Sequence, residues 1–384
     1  MEQKTAGNHV QGLDVLRVLA IVSVFVFHYS RSAGPLWFQS IGRFGWMGVD
    51  LFFVLSGYLI GGQLFKKLQE TGKISLRDFY IQRAFRILPS YWAVVALYFL
   101  VPGFTDDRGT SPLWKFLTFT QNFGLDLFQD SFSHAWSLCV EEHFYLIFPW
   151  LAFAFWKWGT PKKVIAFLIS LIAGGMILRS TLWFHLVKPI LGAENSHDLA
   201  KTFYQQIYYP TYNRLDGLAI GAVLAAISVY RPHVWKAFQK NWIGCFILGI
   251  FLLAMSWRMD GDRYALQASA LVYPLVALAF GCLLIFAASP VSPLNQWRIP
   301  GARWAATLAF SFYLTHKHFI HVAMTFGTSK GLHHDGFILM IFSFVCSLFA
   351  AICLHLLIER PFLKLRSSVM PQLSKQNENC GTVV

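Results

Sequence analysis

Acidic residues are scarce in this 384-residue chain. Only 19 Asp and Glu stand against 32 Lys and Arg, and charged residues of both signs make up 13% of the sequence. A soluble domain of this length needs a charged, solvated surface, so the scarcity excludes that class. The resulting net charge of +13 invites a nucleic-acid reading. Most of the excess Lys and Arg falls in alternate loops, so membrane topology explains it and no nucleic-acid partner is expected. Cysteine is also sparse. Of the six, Cys139, Cys245, Cys282, Cys346 and Cys353 lie in or at apolar segments and Cys380 in a polar tail. With no CxxC and no paired framework, neither disulfides nor zinc is indicated. The thirteen histidines contain no HExxH, and the adjacent His333 and His334 cannot chelate from one helix face, so no metal is expected. Internal repeats and low-complexity segments are absent. The apolar segments do not alternate with polar residues, which excludes a transmembrane β-barrel.

What is abundant is apolar sequence. Hydrophobic residues make up 55% and aromatics 17%, with a mean hydropathy of +0.48. The pattern predicts an all-α polytopic transmembrane helical bundle of about ten spans. They fall near 13–29, 46–65, 86–101, 138–156, 164–185, 214–229, 242–257, 267–287, 304–325 and 336–358. Residues 112–123 are apolar but short, and read as re-entrant or interfacial. The first span sits where a signal peptide would, but it lacks a small-x-small cleavage site and is followed by Arg31, so it is expected to be retained. Residues 1–365 are expected to form one membrane domain, and 366–384 a cytoplasmic polar tail.

Loop charges orient the bundle. Lys66, Lys67, Lys73, Arg77, Arg83 and Arg86 crowd the second loop, Lys157, Lys162 and Lys163 the fourth, and Arg231, Lys236 and Lys240 the sixth. Arg298 and Arg303 bound the eighth, and Arg360, Lys364 and Arg366 follow the last span. The intervening loops hold Asp106, Asp107, Asp126, Asp130, Glu194, Asp198, Asp260 and Asp262. By the positive-inside rule both termini are cytoplasmic.

Within this frame the intramembrane polar residues acquire a depth. Arg17 and His28 are eleven residues apart on span 1. They share a helix face, separated by roughly 16 Å along the axis, with Asp14 one turn before Arg17. An ionisable residue in the bilayer costs about 3 kcal/mol and normally faces a polar interior, although snorkelling to the interface would also account for Arg17. His28, Asp50, Glu141, Glu142, Arg214, Asp216 and His316 all fall in the half of the bundle away from the cytoplasm, and Tyr313 lies beside them. Structural ion pairs would explain any one of these; together they point to the walls of a polar cavity. A histidine beside a carboxylate in such a cavity suits general-base work. Glu141 shares its helix face with Ser137 and Tyr145 and is expected to point inward, leaving Glu142 to pair with Arg214 or a nearby loop.

Arg83 and Arg86, three residues apart, present two guanidinium groups on one face. They suit either a bidentate grip on phosphates or ordinary anchoring beside lipid headgroups. Gly57 and Gly61 form a GxxxG pair that reads as close helix packing. Glu359-Arg360-Pro361 reads as an interfacial ion pair followed by a proline stop.

The residues singled out so far resemble the motifs of the acyltransferase 3 family of bacterial membrane O-acyltransferases. Arg17 and His28 match its Arg-x10-His pattern, Gly48 to Tyr58 its second-span motif, Arg83 and Arg86 its RxxR loop, and Trp136 to Tyr145 its WSLxVEExFY segment. In the last of these Cys139 and His143 replace commoner residues. Arg214 to Gly217, Ser311 to His316 and Glu359 to Pro361 are also similar to family landmarks, and the resemblance covers about residues 10–365. It implies a multi-pass inner (plasma) membrane enzyme that transfers an acyl group, usually acetyl from acetyl-CoA, to a hydroxyl of a sugar or glycan acceptor. On this reading Arg83 and Arg86 hold the CoA phosphates, the pantetheine arm passes Arg17, and His28 assisted by Glu141 is the base. Asp50, Ser137, Glu142, Tyr145, Arg214, Asp216, Tyr313 and His316 line the cavity or acceptor site. Some members carry a C-terminal SGNH-type domain; without one, the chain is expected to act alone or to hand its acyl group to another protein. The competing class is a transporter or flippase for a polar or lipid-linked solute. The missing internal repeat and the lack of a broken-helix pair in matching halves count against it.

Overall fold

A computed structural model describes residues 10–105, 108–192 and 196–369. Asp106, Asp107, Glu194, Cys380 and residues 370–384 of the expected tail lie outside the described residues. Those described form fifteen α-helices in order. They are α1 (Gln11–Ser30), α2 (Leu36–Gly42), α3 (Met47–Thr71), α4 (Leu76–Leu100), α5 (Leu113–Leu117), α6 (Trp136–Trp158), α7 (Pro161–Leu182), α8 (Ser196–Phe203), α9 (Asp216–Tyr230), α10 (Pro232–Lys240), α11 (Trp242–Met259), α12 (Leu266–Ala288), α13 (Pro293–Gln296), α14 (Ala302–Ser329) and α15 (Phe337–Leu354). Strands are absent among the described residues, apart from one isolated bridge between Gly109 and Asp130.

Each of the ten expected segments falls on a helix. By length and composition seven helices among the described residues suffice to cross a membrane, or eight if α9 and α10, bent at 112° to each other, are taken as one broken span. The helices α4 and α14 are long enough, but Arg77, Arg83 and Arg86 on one and His316, His318 and His321 on the other lower their apolarity. The lipid-facing and central helices separate by exposure. On α7 and α11, Ile165, Ile169, Ile177, Ile247 and Phe251 are all exposed, as a surface solvated by lipid tails requires. By contrast α12 is apolar on all sides and mostly buried, which marks a helix at the centre of a bundle.

The tightest junction is between α3 and α9, where glycines interlock. A Cβ on Gly57 would meet the Leu218 carbonyl oxygen at 2.2 Å, and one on Gly221 the Val54 carbonyl oxygen at 2.1 Å. The GxxxG pair is therefore answered by Gly217 and Gly221 on the facing helix, and backbone packs on backbone. At one end of the bundle, Asn295 accepts a hydrogen bond from the Gly12 amide (2.8 Å) and Gln11 donates to the Leu294 carbonyl (2.9 Å), tying the start of α1 to α13.

Three local readings change. The second loop is short. Ser75 caps α4 by accepting from the Asp78 amide, so Arg83 and Arg86 ride on a helix that begins ten residues before the expected span. The proline stop does not stop the last helix, which runs on to Val369. The backbone widens into a π-turn at His355–Glu359 just before Pro361, and such turns absorb a residue with no N–H to give. Glu359 does not pair with Arg360. Successive helical residues point about 100° apart, and Glu359 turns inward, 1% exposed. There it accepts from Ser311 Oγ (2.7 Å), bonds His355 Nδ1 (2.9 Å) and faces Arg86 at 3.9 Å.

Candidate active site

Two cavities enter the bundle from opposite ends of α1. The first, about 490 Å³, lies at the Arg17 end and takes in residues of α1, α3, α4, α6 and α14. Five arginines line it: Arg17, Arg83, Arg86, Arg303 and Arg366. Arg17 donates to Asp14 at 2.9 Å, and Arg83 to the side-chain oxygen of Gln63 at 3.1 Å. Arg83 and Arg86 belong to the stretch read as the second loop, Arg303 to the eighth loop and Arg366 to the segment after the last span, all among the basic segments that the charge pattern places on one side. Deeper in the same cavity, Glu141 accepts from the Tyr145 hydroxyl at 2.8 Å.

The second cavity, about 600 Å³, lies at the other end. His28, His134, Arg31, Lys317 and the aromatic faces of Trp136, Tyr208 and Tyr209 are in its wall. Val49 and Tyr313 line both cavities and form the septum between them. Tyr313 is held firmly. Its hydroxyl donates to the His134 carbonyl, so the hydrogen in the 2.6 Å contact with Ser137 comes from the serine.

Histidine chemistry in the second cavity follows from a chain of partners. His316 Nδ1 faces two backbone carbonyls, Phe312 at 3.1 Å and Tyr313 at 2.9 Å. Carbonyls only accept, so Nδ1 carries the hydrogen and Nε2 is bare. That bare Nε2 lies 3.0 Å from His28 Nδ1, which also has the Val24 carbonyl at 3.0 Å. His28 Nδ1 therefore carries its hydrogen, and its Nε2 holds a lone pair toward the cavity. The arrangement fixes one tautomer of the His28 ring, as a buried carboxylate does for the histidine of a catalytic triad.

The predicted site residues separate into three groups. His28, His316 and Tyr313 come together with the septum. Arg17, Arg83, Arg86, Ser137, Glu141 and Tyr145 gather in the arginine cavity, so Glu141 is not the partner of His28; His316 is. Asp50, Arg214, Asp216 and Glu142 line neither cavity, and His316, wholly buried behind His28, lines neither as well. Asp50 and Arg214 form a buried pair at 2.8 and 2.9 Å, with the guanidinium enclosed by Trp136, Tyr208 and Tyr273. Asp216 pairs with Arg179 at 2.9 Å, both buried. Glu142 does not reach Arg214, and its Oε1 is buried without a hydrogen bond.

Sequence reasoning missed His134 and Arg179, and counted Arg303 and Arg366 only as loop charges. His134 had a signal, since it stands two residues before the Trp136 motif.

The chain is similar to known proteins. A family model described as acyltransferase domain matches residues 10–360. The peptidoglycan O-acetyltransferase OatA of Listeria monocytogenes is 25% identical over 332 residues, covering 80% of this chain and 49% of the relative. The O-acetyltransferase OatA of Staphylococcus aureus is 28% identical over 310 residues, covering 72% of this chain and 46% of the relative. The chain thus spans about half the length of the curated relatives it matches. No solved structure matches it.

Proposed function

This chain belongs to the acyltransferase 3 family, and from that premise we propose that it is an inner-membrane O-acetyltransferase. It takes an acyl group from acyl-CoA bound in the arginine cavity and delivers it to a hydroxyl of a glycan in the histidine cavity. One observation carries the reading: an arginine-lined cavity and a histidine-bearing cavity share a single wall at Val49 and Tyr313. The charge of the loops turns the arginine cavity to the cytoplasm, where acyl-CoA is made. The name of the Listeria relative, a peptidoglycan O-acetyltransferase, favours a cell-wall glycan as acceptor.

In this mechanism Arg83 and Arg86 grip donor phosphates and the acyl thioester reaches past Arg17 to the septum. His28 Nε2 takes the proton of the acceptor hydroxyl as its oxygen bonds to the acyl carbon. The C–S bond then breaks, the proton held on His28 is given up to the departing sulfur, and CoA leaves as the thiol with the imidazole neutral again. Positioning both substrates and the base supplies several kcal/mol of barrier lowering, with about 100- to 10,000-fold from proton transfer.

The test is transfer of label from acetyl-CoA to a glycan acceptor by purified protein in liposomes, with free CoA released in equal amount. Passage of the glycan across the bilayer without CoA release would instead make the chain a transporter. Two further results are expected. Cysteines replacing Lys73 should be shielded from an impermeant thiol reagent added outside cells, and those replacing His197 should react; the reverse would exchange the sides of the two cavities. Arg83→Lys should raise the KM for acyl-CoA while leaving expression intact, because lysine keeps the charge and loses the planar fork. An unchanged KM would reduce Arg83 to a membrane anchor.

A further inference from the structure

Five guanidinium groups line the arginine cavity against two carboxylates, those of Asp14 and Glu141. The deeper arginines already have partners: Arg17 has Asp14 (2.9 Å), Arg83 has Gln63 (3.1 Å) and Arg86 has Glu359 (3.9 Å). Arg303 and Arg366 have no ion pair among the described residues. Converging cations without matching carboxylates suit a ligand that carries several negative charges.

The arginines also lie at two depths. Arg86, Glu359 and Ser311 mark one level, joined by the 3.9 Å ion pair and the 2.7 Å hydrogen bond. Arg303 precedes Ser311 by eight residues on α14, which is roughly 12 Å toward the cavity mouth at the α-helical rise. Arg366 follows Glu359 by seven residues, roughly 10 Å in the same direction. The order along the cavity is therefore septum, Glu141, the level of Arg86, then Arg303 and Arg366. The order along a coenzyme A thioester is acyl group, pantetheine arm, diphosphate, then the 3′-phosphate of the ribose.

Building on the donor reading above, we infer that Arg303 and Arg366 bind the ribose 3′-phosphate of the donor and so select intact coenzyme A over carriers lacking it. Arg83 and Arg86 then serve the diphosphate. Two guanidinium groups from separate helices, α14 and the extension of α15, can grip a phosphomonoester from two sides, each through paired N–H donors.

The experiment measures binding of CoA and of 3′-dephospho-CoA to the purified full-length chain in detergent, by calorimetry. The wild type should bind CoA at least roughly tenfold more tightly, the scale of hydrogen bonds to a charged group. In the Arg303→Gln/Arg366→Gln double variant that preference should vanish through weaker CoA binding alone, with the dephospho form bound as before. Arg298→Gln, which removes a neighbouring charge outside the cavity, should keep the preference. Thermal unfolding of each variant checks the fold, and Arg303→Lys/Arg366→Lys supplies a milder pair that should retain part of the preference. If the double variant lost affinity for both ligands equally, the two arginines would act as a general field and the inference would fail. Equal binding of both ligands by the wild type would overturn it while leaving the donor reading intact. Binding of neither would overturn both.

Discussion

Replacing His28 with glutamine should lower acyl transfer at least about 100-fold while donor binding survives, the low end of what a positioned general base contributes. Glutamine fills the same volume and keeps a hydrogen-bonding end, but it cannot take up a proton. In the proposed mechanism the donor phosphates are held in the other cavity, so CoA affinity should be unchanged in His28→Gln and in His28→Ala. His316→Ala should behave differently from both. It removes one of the two acceptors of the His28 Nδ1 hydrogen and leaves the Val24 carbonyl, so it should cause a smaller loss in kcat and shift its pH dependence, with no effect on donor binding. Arg17→Ala touches the arginine cavity and should weaken donor binding as well as turnover. Turnover and CoA binding, measured separately in detergent for these variants, decide the matter. Substantial turnover in His28→Gln would remove the general-base role and leave His28 as a hydrogen-bonding residue.

The bundle was legible in the sequence because apolar runs of this length and number fit little besides membrane spans. The placing of His28 and Arg17 at opposite ends of one helix was legible because helical periodicity joins them, and each lines a cavity there. Glu141 was misplaced because a depth counted in halves of a span is coarser than one helical turn. The helix α6 starts at Trp136, so at about 1.5 Å per residue Glu141 has descended roughly 7 Å by its fifth step. That is enough to cross from one side of Tyr313 to the other. Arg303 and Arg366 were hidden for a different reason. Membrane anchoring and phosphate binding both use basic residues at the cytoplasmic ends of helices, so composition alone does not separate them. Partner identity was hidden most deeply. The pairs Asp50–Arg214, Asp216–Arg179 and Arg86–Glu359 each join residues more than thirty positions apart. The charge pattern in one sequence says that such residues need partners without saying which.

The second large effect is expected at Asp50 and Arg214, which hold α3 to the start of α9. Both are almost wholly buried, at 2% and 1% exposure. Asp50→Ala would leave a guanidinium uncompensated in the interior, and breaking one side of a buried pair costs about 3–5 kcal/mol. The rings of Trp136, Tyr208 and Tyr273, with centroids 4.4–4.9 Å from the Arg214 guanidinium carbon, offset part of that. A desolvated cation over a ring gains about 2 kcal/mol, so the aromatic box softens the loss without cancelling it. Arg214→Met removes the cation and leaves a buried carboxylate that can neutralise itself by taking up a proton. It should therefore be the milder of the two single variants. The double variant Asp50→Leu/Arg214→Met should be more stable than Asp50→Ala, because exchanging a whole buried pair for apolar groups of similar volume is often neutral. Thermal unfolding in detergent gives the comparison. If the double variant lost as much as the single losses added together, the two residues would be stabilising the helices through separate contacts and not as a pair. A folded double variant should still transfer acyl groups, since neither residue lines a cavity; loss of transfer with the fold intact would bring Asp50 or Arg214 into the reaction itself.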